Sequence, residues 1–275
     1  MSTEFLGVKH SLSNKIWIGP SAEQERIAAG IHQEHGISLL TALMLTKRGV
    51  NVNSLKSHLS PKIKDLMPDP YSLQDMEKAS TRLLQSIENQ EKICIFADYD
   101  VDGTSSASLL IIWLKHFKIV PQLYIPDRVE EGYGPNLEAM EILSKKNELI
   151  ICVDCGTVAF DAIEIANKNG ADVLILDHHI PDEILPPAFA IVNPKRRDGS
   201  NELDYLCAAG VVFLFLASLG RLLRQRQISS PDIMNFLDLV ALATVADVVP
   251  LIKLNRALVS QGLKVLAKRN RPGLV

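Results

Sequence analysis

Five aspartates and two adjacent histidines, spread over about 150 residues, are the side chains of this sequence best suited to bind a metal ion. They are Asp98, Asp100, Asp102, Asp154, Asp247, His178 and His179. Carboxylates that meet in one place repel each other and take up protons unless a cation lies among them. Hard divalent cations prefer oxygen ligands, and an added imidazole nitrogen shifts the preference towards Mn²⁺-like ions. The sequence therefore predicts a divalent-metal centre.

Most of these residues follow apolar runs that are typical of buried parallel strands. Three such runs end just before acidic residues, at 93–96, 149–153 and 173–176. In an open α/β sheet, the carboxyl ends of the strands meet at one crevice, where ligands bind. Asp247 instead ends an apolar helical pattern, where it is either a helix-end cap or a carboxylate too costly to bury without a partner. We expect the four patches to meet in the crevice.

Strands and helices alternate from residue 93 onwards, which predicts an α/β fold with a doubly wound, mostly parallel sheet. Two more strands are expected at 122–125 and 190–192, and helices at about 104–116, 136–146 and 158–169. Helical patterns flank this region, at 22–33, 38–48 and 76–90 before it and at 208–226, 231–246 and 253–268 after it. We predict an N-terminal helical segment, 1–90, packed on an α/β domain, 91–275, with C-terminal helices.

The composition is ordinary for a soluble globular protein. The 275 residues are 47% hydrophobic and 22% charged, with a net charge of −3. Local basic clusters nevertheless occur at 195–197, at 221–226 and at 264–271, and such clusters are more often solvated surface than phosphate sites. No apolar run approaches the roughly 18 residues of a membrane span, and the polar start lacks a secretory segment. We expect a cytoplasmic monomer with no membrane partner.

The first acidic patch also suits phosphate chemistry. Residues 98–103, DYDVDG, precede a predicted helix whose N-terminal amides would suit a phosphate oxygen, and Thr104 and Ser105 offer hydroxyl donors there. Asp154 could bridge two metal ions about 3.5–4 Å apart, the spacing used for in-line displacement at phosphorus. The patch begins like an EF-hand loop, but Leu109 occupies the position that requires Glu.

Four segments, in this order, resemble the motifs of the DHH phosphoesterase superfamily. They are ADYDVDGTSS at 97–106, VDCGT at 153–157, LDHH at 176–179 and LVALATVADVVPL at 239–251. Within the superfamily they are most similar to the RecJ branch of single-strand-specific 5′→3′ DNA exonucleases. The segments EGYG at 131–134 and VNP at 192–194 are further points of likeness. The resemblance covers nearly the whole chain.

The resemblance implies a role for each residue of the patches. One ion, Mn²⁺ or Mg²⁺, would be held by Asp98, Asp100 and Asp154, and a second by Asp102, Asp154, His178 and Asp247. His179 would face the scissile phosphate of single-stranded DNA, and Asp177 would orient the histidines. Arg128 would contact a phosphate, since a guanidinium matches phosphate geometry. The biological setting implied is DNA repair and recombination.

Two departures from the family leave alternatives open. The second motif usually reads Asp-Asn-Gly-Ile, whereas residues 154–157 read DCGT, which preserves the metal ligand. Family members also continue into a DHH-associated domain and an OB-like module, so we expect this sequence to correspond to the catalytic lobe alone, with reduced activity unless a separate second half or repair protein assists. The alternatives are a phosphoesterase for short oligonucleotides or cyclic dinucleotides, and a non-catalytic binding scaffold.

Overall fold

A computed structural model describes residues 4–274, which divide into two compact units between Lys62 and Ile63. The first unit is helical, with α1 (Ala22–His35), α2 (Leu39–Thr46) and α3 (Val52–Leu59). Its small apolar core contains Ala28, Ile31, Ala42, Val50 and Leu55. The sequence predicted the first two helices. It missed α3, which begins after Asn51, an N-cap residue that accepts a hydrogen bond from the backbone of Ser54.

The second unit contains a five-stranded sheet in which every neighbouring pair is parallel. The strands are β1 (Ile93–Ala97), β2 (Gln122–Tyr124), β3 (Leu149–Val153), β4 (Asp172–Leu176) and β5 (Ala190–Val192). Their order is β2-β1-β3-β4-β5, and β1, β3 and nearly all of β4 are buried. The chain direction across the sheet reverses between β1 and β3, and this switch point is where open α/β sheets form their binding crevice.

Helices cover both faces of this sheet, which confirms the predicted α/β, doubly wound class. They are α4 (Ile63–Leu66), α5 (Met76–Glu88), α6 (Val101–Lys115), α7 (Leu137–Ser144), α8 (Phe160–Lys168), α9 (Ala208–Gln225), α10 (Leu237–Ala246) and α11 (Lys253–Leu266). Alternate side chains of β1, β3 and β4 pack against α7 and α8 on one face and against α5, α6 and α9 on the other. Short 3₁₀ turns occupy 5–7, 70–72, 233–236 and 272–274.

Two features bear on the expected organisation. Helix α5, which the sequence analysis grouped with the N-terminal segment, belongs to the second unit; the domain boundary near residue 90 stays a prediction. Helix α9 has 18 residues and a mean hydropathy of 1.4, so the expectation that no apolar stretch approaches the length of a membrane span was wrong. Of this helix, 67% is buried inside the protein, as in the core helix of a globular domain.

Candidate metal centre

The acidic patches come together at the carboxyl edge of the sheet. Asp98 and Asp100 follow β1, Asp154 follows β3, and His178 lies two residues after the end of β4. Asp247 is the residue that ends α10, and its Oδ2 lies 3.8 Å from Nε2 of His178. Residues distant in sequence thus share one crevice beside the switch point between β1 and β3.

The local structure after β1 differs from the expected one. Helix α6 begins at Val101, about three residues earlier than predicted, because Asp100 is its N-cap and accepts a hydrogen bond from the Gly103 amide at 2.9 Å. Asp102 therefore lies in the first helical turn and is buried. Gly103 is required here, because a Cβ atom on it would lie 2.4 Å from the backbone oxygen of Asp98.

The carboxylate of Asp102 joins two helices. Its two oxygens accept hydrogen bonds from the Ala208 and Ala209 amides, at 2.6 and 2.8 Å, at the N-terminus of α9. The free amides and dipole of a helix N-terminus stabilise an anion. Burial nevertheless raises the pKa of Asp102 to about 7, against these hydrogen bonds and with help from the nearby Asp247. A bound cation would favour the ionised form of this carboxylate.

Asp154 is the most constrained acidic residue. Its backbone has φ of 60°, a left-handed conformation that is uncommon outside glycine, and its amide donates to the Leu176 oxygen at 3.0 Å. Such conformations cost about 1–3 kcal/mol and persist where the surrounding structure enforces them. The side chain is buried, and burial followed by the charges of Asp102 and Asp100 raises its pKa to about 11. In the absence of a cation this carboxyl group is held protonated.

His178 faces the carboxylates with one ring nitrogen. Its Nε2 lies 3.3 Å from Asp154 Oδ1 and 3.8 Å from oxygens of Asp102 and Asp247. Burial, and then the charge of His179, lower the pKa of His178 to about 4. A neutral imidazole directed at several carboxylates is the form that coordinates metal ions.

The donor atoms of the cluster fit divalent cations. Three sets of side chains offer ligand atoms within 4.8 Å of one another: Asp98, Asp100 and Asp154; Asp102, His178 and Asp247; Asp154, His178 and His179. The buried atoms of the cluster that make no hydrogen bond are Asp98 Oδ1, Asp154 Oδ1, His178 Nδ1 and Asp247 Oδ2. Buried polar atoms without partners are costly, and cations held among the carboxylates would satisfy the three oxygens. The first set contains the three ligands that the resemblance implied for one ion, and the second contains three of the four implied for the other, without Asp154. The assignment of each ligand stays a prediction.

Asp177 lies among hydrogen-bond donors instead. It accepts from the amides of Thr157 and His178, at 3.1 and 2.7 Å, and it is 2.7 Å from Nδ1 of His179. Burial alone would raise the pKa of Asp177, but the hydrogen bonds and charge of His179 outweigh it and lower the value to about 2. Asp177 is therefore an anion that fixes the His179 ring, and its hydrogen bond raises the pKa of His179.

Two residues that the sequence analysis did not assign also hold His179. The Tyr133 hydroxyl donates to the Asp154 backbone oxygen at 3.0 Å and lies 3.1 Å from Nδ1 of His179. Buried Asn193 donates to the His179 backbone oxygen at 2.8 Å and to the Thr157 hydroxyl at 3.0 Å. Both occur in segments noted only as points of family likeness, since sequence alone does not show which distant residue they contact.

The three expected substrate contacts have different locations. Arg128 is exposed, and its guanidinium lies 5.4 Å from the ring centre of Tyr99, the residue between Asp98 and Asp100. The Thr104 hydroxyl donates to the Asp100 backbone oxygen at 2.7 Å.

The earlier start of α6 accounts for the position of Ser105. With the helix beginning at Val101, Ser105 is buried on the face towards α10 and lines an apolar cavity with Leu239 and Leu242. Thr104 lines the same cavity, and the expectation that the Ser105 hydroxyl offers a donor beside the acidic patch stays a prediction. Thr104 remains one position nearer to Asp100 and is partly exposed.

The raised pKa values predict that the metal-free protein loses stability as the pH rises. An acid whose pKa is higher in the folded state stabilises the fold fully below its unfolded pKa and loses that contribution as the pH rises through the folded pKa. For Asp102 and Asp154 the pKa rises from 3.8 to about 7 and about 11, so the loss spans the neutral range. We expect the free energy of unfolding in EDTA to fall between about pH 5 and about pH 8.

The measurement is a urea titration at each pH, with and without Mn²⁺. Added Mn²⁺ should reverse the trend, because it binds the ionised carboxylates of the folded state. The low pKa of Asp177, about 2, acts only in more acidic solution. His178, whose pKa is lowered from 6.5 to about 4, adds stability as the pH rises to about 6.5, but it is one group against two and acts only in the lower part of the range. A metal-free stability that increases over this range would show that these carboxyl groups are not protonated in the fold.

A parallel sheet with clustered aspartates and a histidine pair at the switch point is the arrangement expected for the family that the sequence motifs resemble. The chain belongs to the DHH family, whose N-terminal domain matches residues 92–244. The chain is 38% identical over 267 residues to the single-stranded-DNA-specific exonuclease RecJ of Bacillus subtilis (strain 168), a match that covers 96% of this chain and 32% of that protein. The chain spans about a third of the length of the curated relatives it matches.

Solved structures give the same result. A crystal structure of exonuclease RecJ bound to manganese is 31% identical, with a TM-score of 0.66, covering 76% of this chain and 51% of that one. A crystal structure of RecJ from Thermus thermophilus in complex with Mn²⁺ is 27% identical, with a TM-score of 0.73, covering 93% of this chain and 35% of that one. The family resemblance of the sequence motifs is therefore confirmed.

Proposed function

We propose that this chain is the catalytic lobe of a RecJ-type nuclease, which hydrolyses the phosphodiester bonds of single-stranded DNA from the 5′ end. The observation that carries the proposal is the convergence of Asp98, Asp100 and Asp102 with Asp154, His178 and Asp247 in one crevice. The similarity to RecJ proteins, which are named as single-stranded-DNA-specific exonucleases, supports the substrate and the reaction.

The residues present fit two Mn²⁺ or Mg²⁺ ions. Asp98, Asp100 and Asp154 would hold one ion, and Asp102, His178 and Asp247 would hold the other together with Asp154. When bound, a pair of such cations neutralises the charge that develops on phosphate oxygens during in-line displacement. Oxygen donors with one imidazole suit Mn²⁺ better than Zn²⁺, which prefers sites richer in nitrogen and sulfur.

The residues around the ions would position the strand. Nδ1 of His179 contacts both Asp177 and the Tyr133 hydroxyl, and the side chain is 44% exposed; we place the scissile phosphate beside it. Arg128, stacked on Tyr99, would contact a phosphate next to the ions. Thr104, at the N-terminal end of α6, would contact a phosphate by donating the hydroxyl hydrogen that the Asp100 backbone oxygen otherwise accepts.

We also propose the setting of this activity from the family likeness: digestion from 5′ to 3′, a role in DNA repair and recombination, and a cytoplasmic location. A second polypeptide lobe or other repair proteins would strengthen the grip on the strand, because phosphate contacts along a groove supply most of the affinity for single strands. The lobe itself is proposed to be a monomer.

The experiment incubates the purified chain and Mn²⁺ with single strands labelled at the 5′ or the 3′ end, duplex DNA and dinucleotides. Mononucleotides released from the 5′ end of long single strands are the expected result. Cleavage of dinucleotides alone would instead indicate a phosphoesterase for short substrates, and metal binding without turnover would indicate a scaffold. Asp182→Asn, which changes an exposed carboxylate that belongs to none of the donor sets, is the control for the preparation.

Tyr133→Phe tests how His179 is held. Loss of a hydroxyl that contacts both His179 and the Asp154 backbone should cost about 0.5–1.5 kcal/mol, or about two- to tenfold in turnover. The measurement is kcat on a labelled strand at saturating Mn²⁺. Tyr124→Phe is the matched control, because it removes a hydroxyl bonded to Glu131 instead. Equal effects of the two variants would contradict a positioning role for Tyr133.

A further inference from the structure

The basic cluster at 195–197 separates into three cations with different surroundings. Arg196 is buried and structural: its guanidinium bonds Asp75 at 2.7 Å and Asp198 at 2.7 Å, and the Ile191 backbone oxygen at 2.6 Å. Arg197 is mostly exposed and pairs with Glu183 at 3.4 Å. Among the described residues no carboxylate lies within ion-pair distance of the Lys195 ammonium. Lys195 is thus the cation of this cluster that is available to a ligand.

Lys195 is tied to the candidate centre through Asn193. The Lys195 amide donates to Asn193 Oδ1 at 2.8 Å, and Nδ2 of the same asparagine donates to the His179 backbone oxygen at 2.8 Å. The segment that carries Lys195 follows β5, so it leaves the sheet at the same carboxyl edge as the acidic patches. The backbone of half-buried Lys195 is therefore linked to that of His179 through one hydrogen-bonded side chain.

The charge of Lys195 reaches residues on two other elements. Burial is the main cause of the lowered pKa of His178, and the positive charge of Lys195 acts in the same direction. The same charge opposes the burial-driven rise in the pKa of Asp247, at the end of α10. The ammonium group is accordingly close enough to the histidine pair and to the last aspartate for its charge to act on both.

The net charge of the metal centre explains why a further cation is needed beside it. The five carboxylates of the centre exceed the charge of two divalent cations by one, so a loaded centre still repels a polyanion unless another cation lies nearby. Lysine is a compact point charge that commonly binds phosphate, and this one makes no direct ion pair with the described carboxylates, so its ammonium group is free to contact a ligand. We propose that Lys195 binds a phosphate of the nucleic acid strand held at the metal centre. The proposal rests on the proposed function and adds a contact to it.

The test compares Lys195→Gln with Arg197→Gln. The second variant also removes one positive charge, but from a residue two positions further along the chain whose side chain already pairs with Glu183. The dissociation constant of a fluorescent oligothymidylate is measured by anisotropy over a range of salt concentrations, with Ca²⁺ replacing Mn²⁺ to limit cleavage. Lys195→Gln should weaken binding about tenfold and reduce the slope of log K against log salt by about 0.7, the value for one phosphate contact on a single strand. Lys195→Arg should retain most of the slope.

The outcomes are distinguishable. Unchanged binding and slope in Lys195→Gln, or equal losses in Arg197→Gln, would overturn the Lys195 contact while leaving the proposed function intact. A wild-type chain that neither binds nor cleaves single strands would overturn the proposed function, and the Lys195 contact with it. Unfolding midpoints of the two variants should match that of the wild type, since neither removes a buried ion pair.

Discussion

Replacing Asp154 by Asn is expected to lower divalent-metal affinity and metal-dependent cleavage by at least about 100-fold. Loss of a residue that only supports a metal ligand costs up to about 100-fold, and loss of a ligand itself should cost at least as much. Asp154 contributes an oxygen to two of the three donor sets, and its Oδ1 has no hydrogen-bond partner among the described residues. An amide has one oxygen and no charge, so it can neither bridge two cations nor balance their charge.

The same change should leave the metal-free fold intact or make it more stable above neutral pH. Burial and neighbouring carboxylates hold the pKa of Asp154 at about 11, so keeping this group protonated costs the wild-type fold free energy that the neutral amide does not. The measurements are Mn²⁺ affinity by calorimetry and unfolding in EDTA. Asp182→Asn is the control, with no change expected in either. Retention of wild-type Mn²⁺ affinity by Asp154→Asn would contradict the placement of Asp154 at the centre.

Replacing Gly103 by Ala is expected to destabilise the second unit by about 1–3 kcal/mol, the usual cost of overpacking a close contact. The added Cβ would meet the Asp98 backbone oxygen at 2.4 Å and its carbonyl carbon at 2.8 Å, and backbone atoms cannot move aside as a side-chain end can. Relief of the clash must separate the start of α6 from the end of β1, which displaces Asp98 and Asp100 from each other. Mn²⁺ affinity should fall together with stability.

Gly220→Ala is the matched control for this prediction. Gly220 also lies within a helix of the second unit, and its added Cβ would meet only the Ser230 hydroxyl, at 3.6 Å. Alanine in a helix interior is favoured over glycine by about 0.8–1.0 kcal/mol, so this variant should be more stable than the wild type. Urea unfolding of both variants measures the change in the free energy of unfolding, which should be a decrease for Gly103→Ala and an increase for Gly220→Ala. Stabilisation by Gly103→Ala would show that α6 does not approach β1 as described.

Much of the fold was predictable because its sheet is buried on both sides. The runs at 149–153 and 190–192 match β3 and β5 at both ends, since continuous apolar stretches of this length have few alternatives to a buried strand. Helix starts were less certain. Asp100 has the residue type of both an N-cap and a metal ligand, and helix α6 begins directly after it, about three residues before its predicted start.

The acidic cluster was predictable from strand ends, whereas its supports were not. The carboxyl ends of parallel strands converge whatever the rest of the chain does, so the meeting of Asp98 with Asp154 followed from the pattern. The contact of Asp102 with the Ala208 amide joins residues 106 positions apart, and no local pattern encodes it. Tyr133 and Asn193 escaped assignment for the same reason, because their partners are fixed only by the tertiary fold.

The most direct test of the account is a Mn²⁺ titration of the wild-type chain followed by electron paramagnetic resonance. We expect two Mn²⁺ ions per chain whose spins couple, because the donor sets of Asp98 with Asp100 and of His178 with Asp247 both adjoin Asp154. Asp247→Asn should lower the affinity for one of the two ions and abolish the coupling between their spins. Binding of a single uncoupled ion by the wild type, or two coupled ions with unchanged affinity in Asp247→Asn, would contradict a shared two-cation centre.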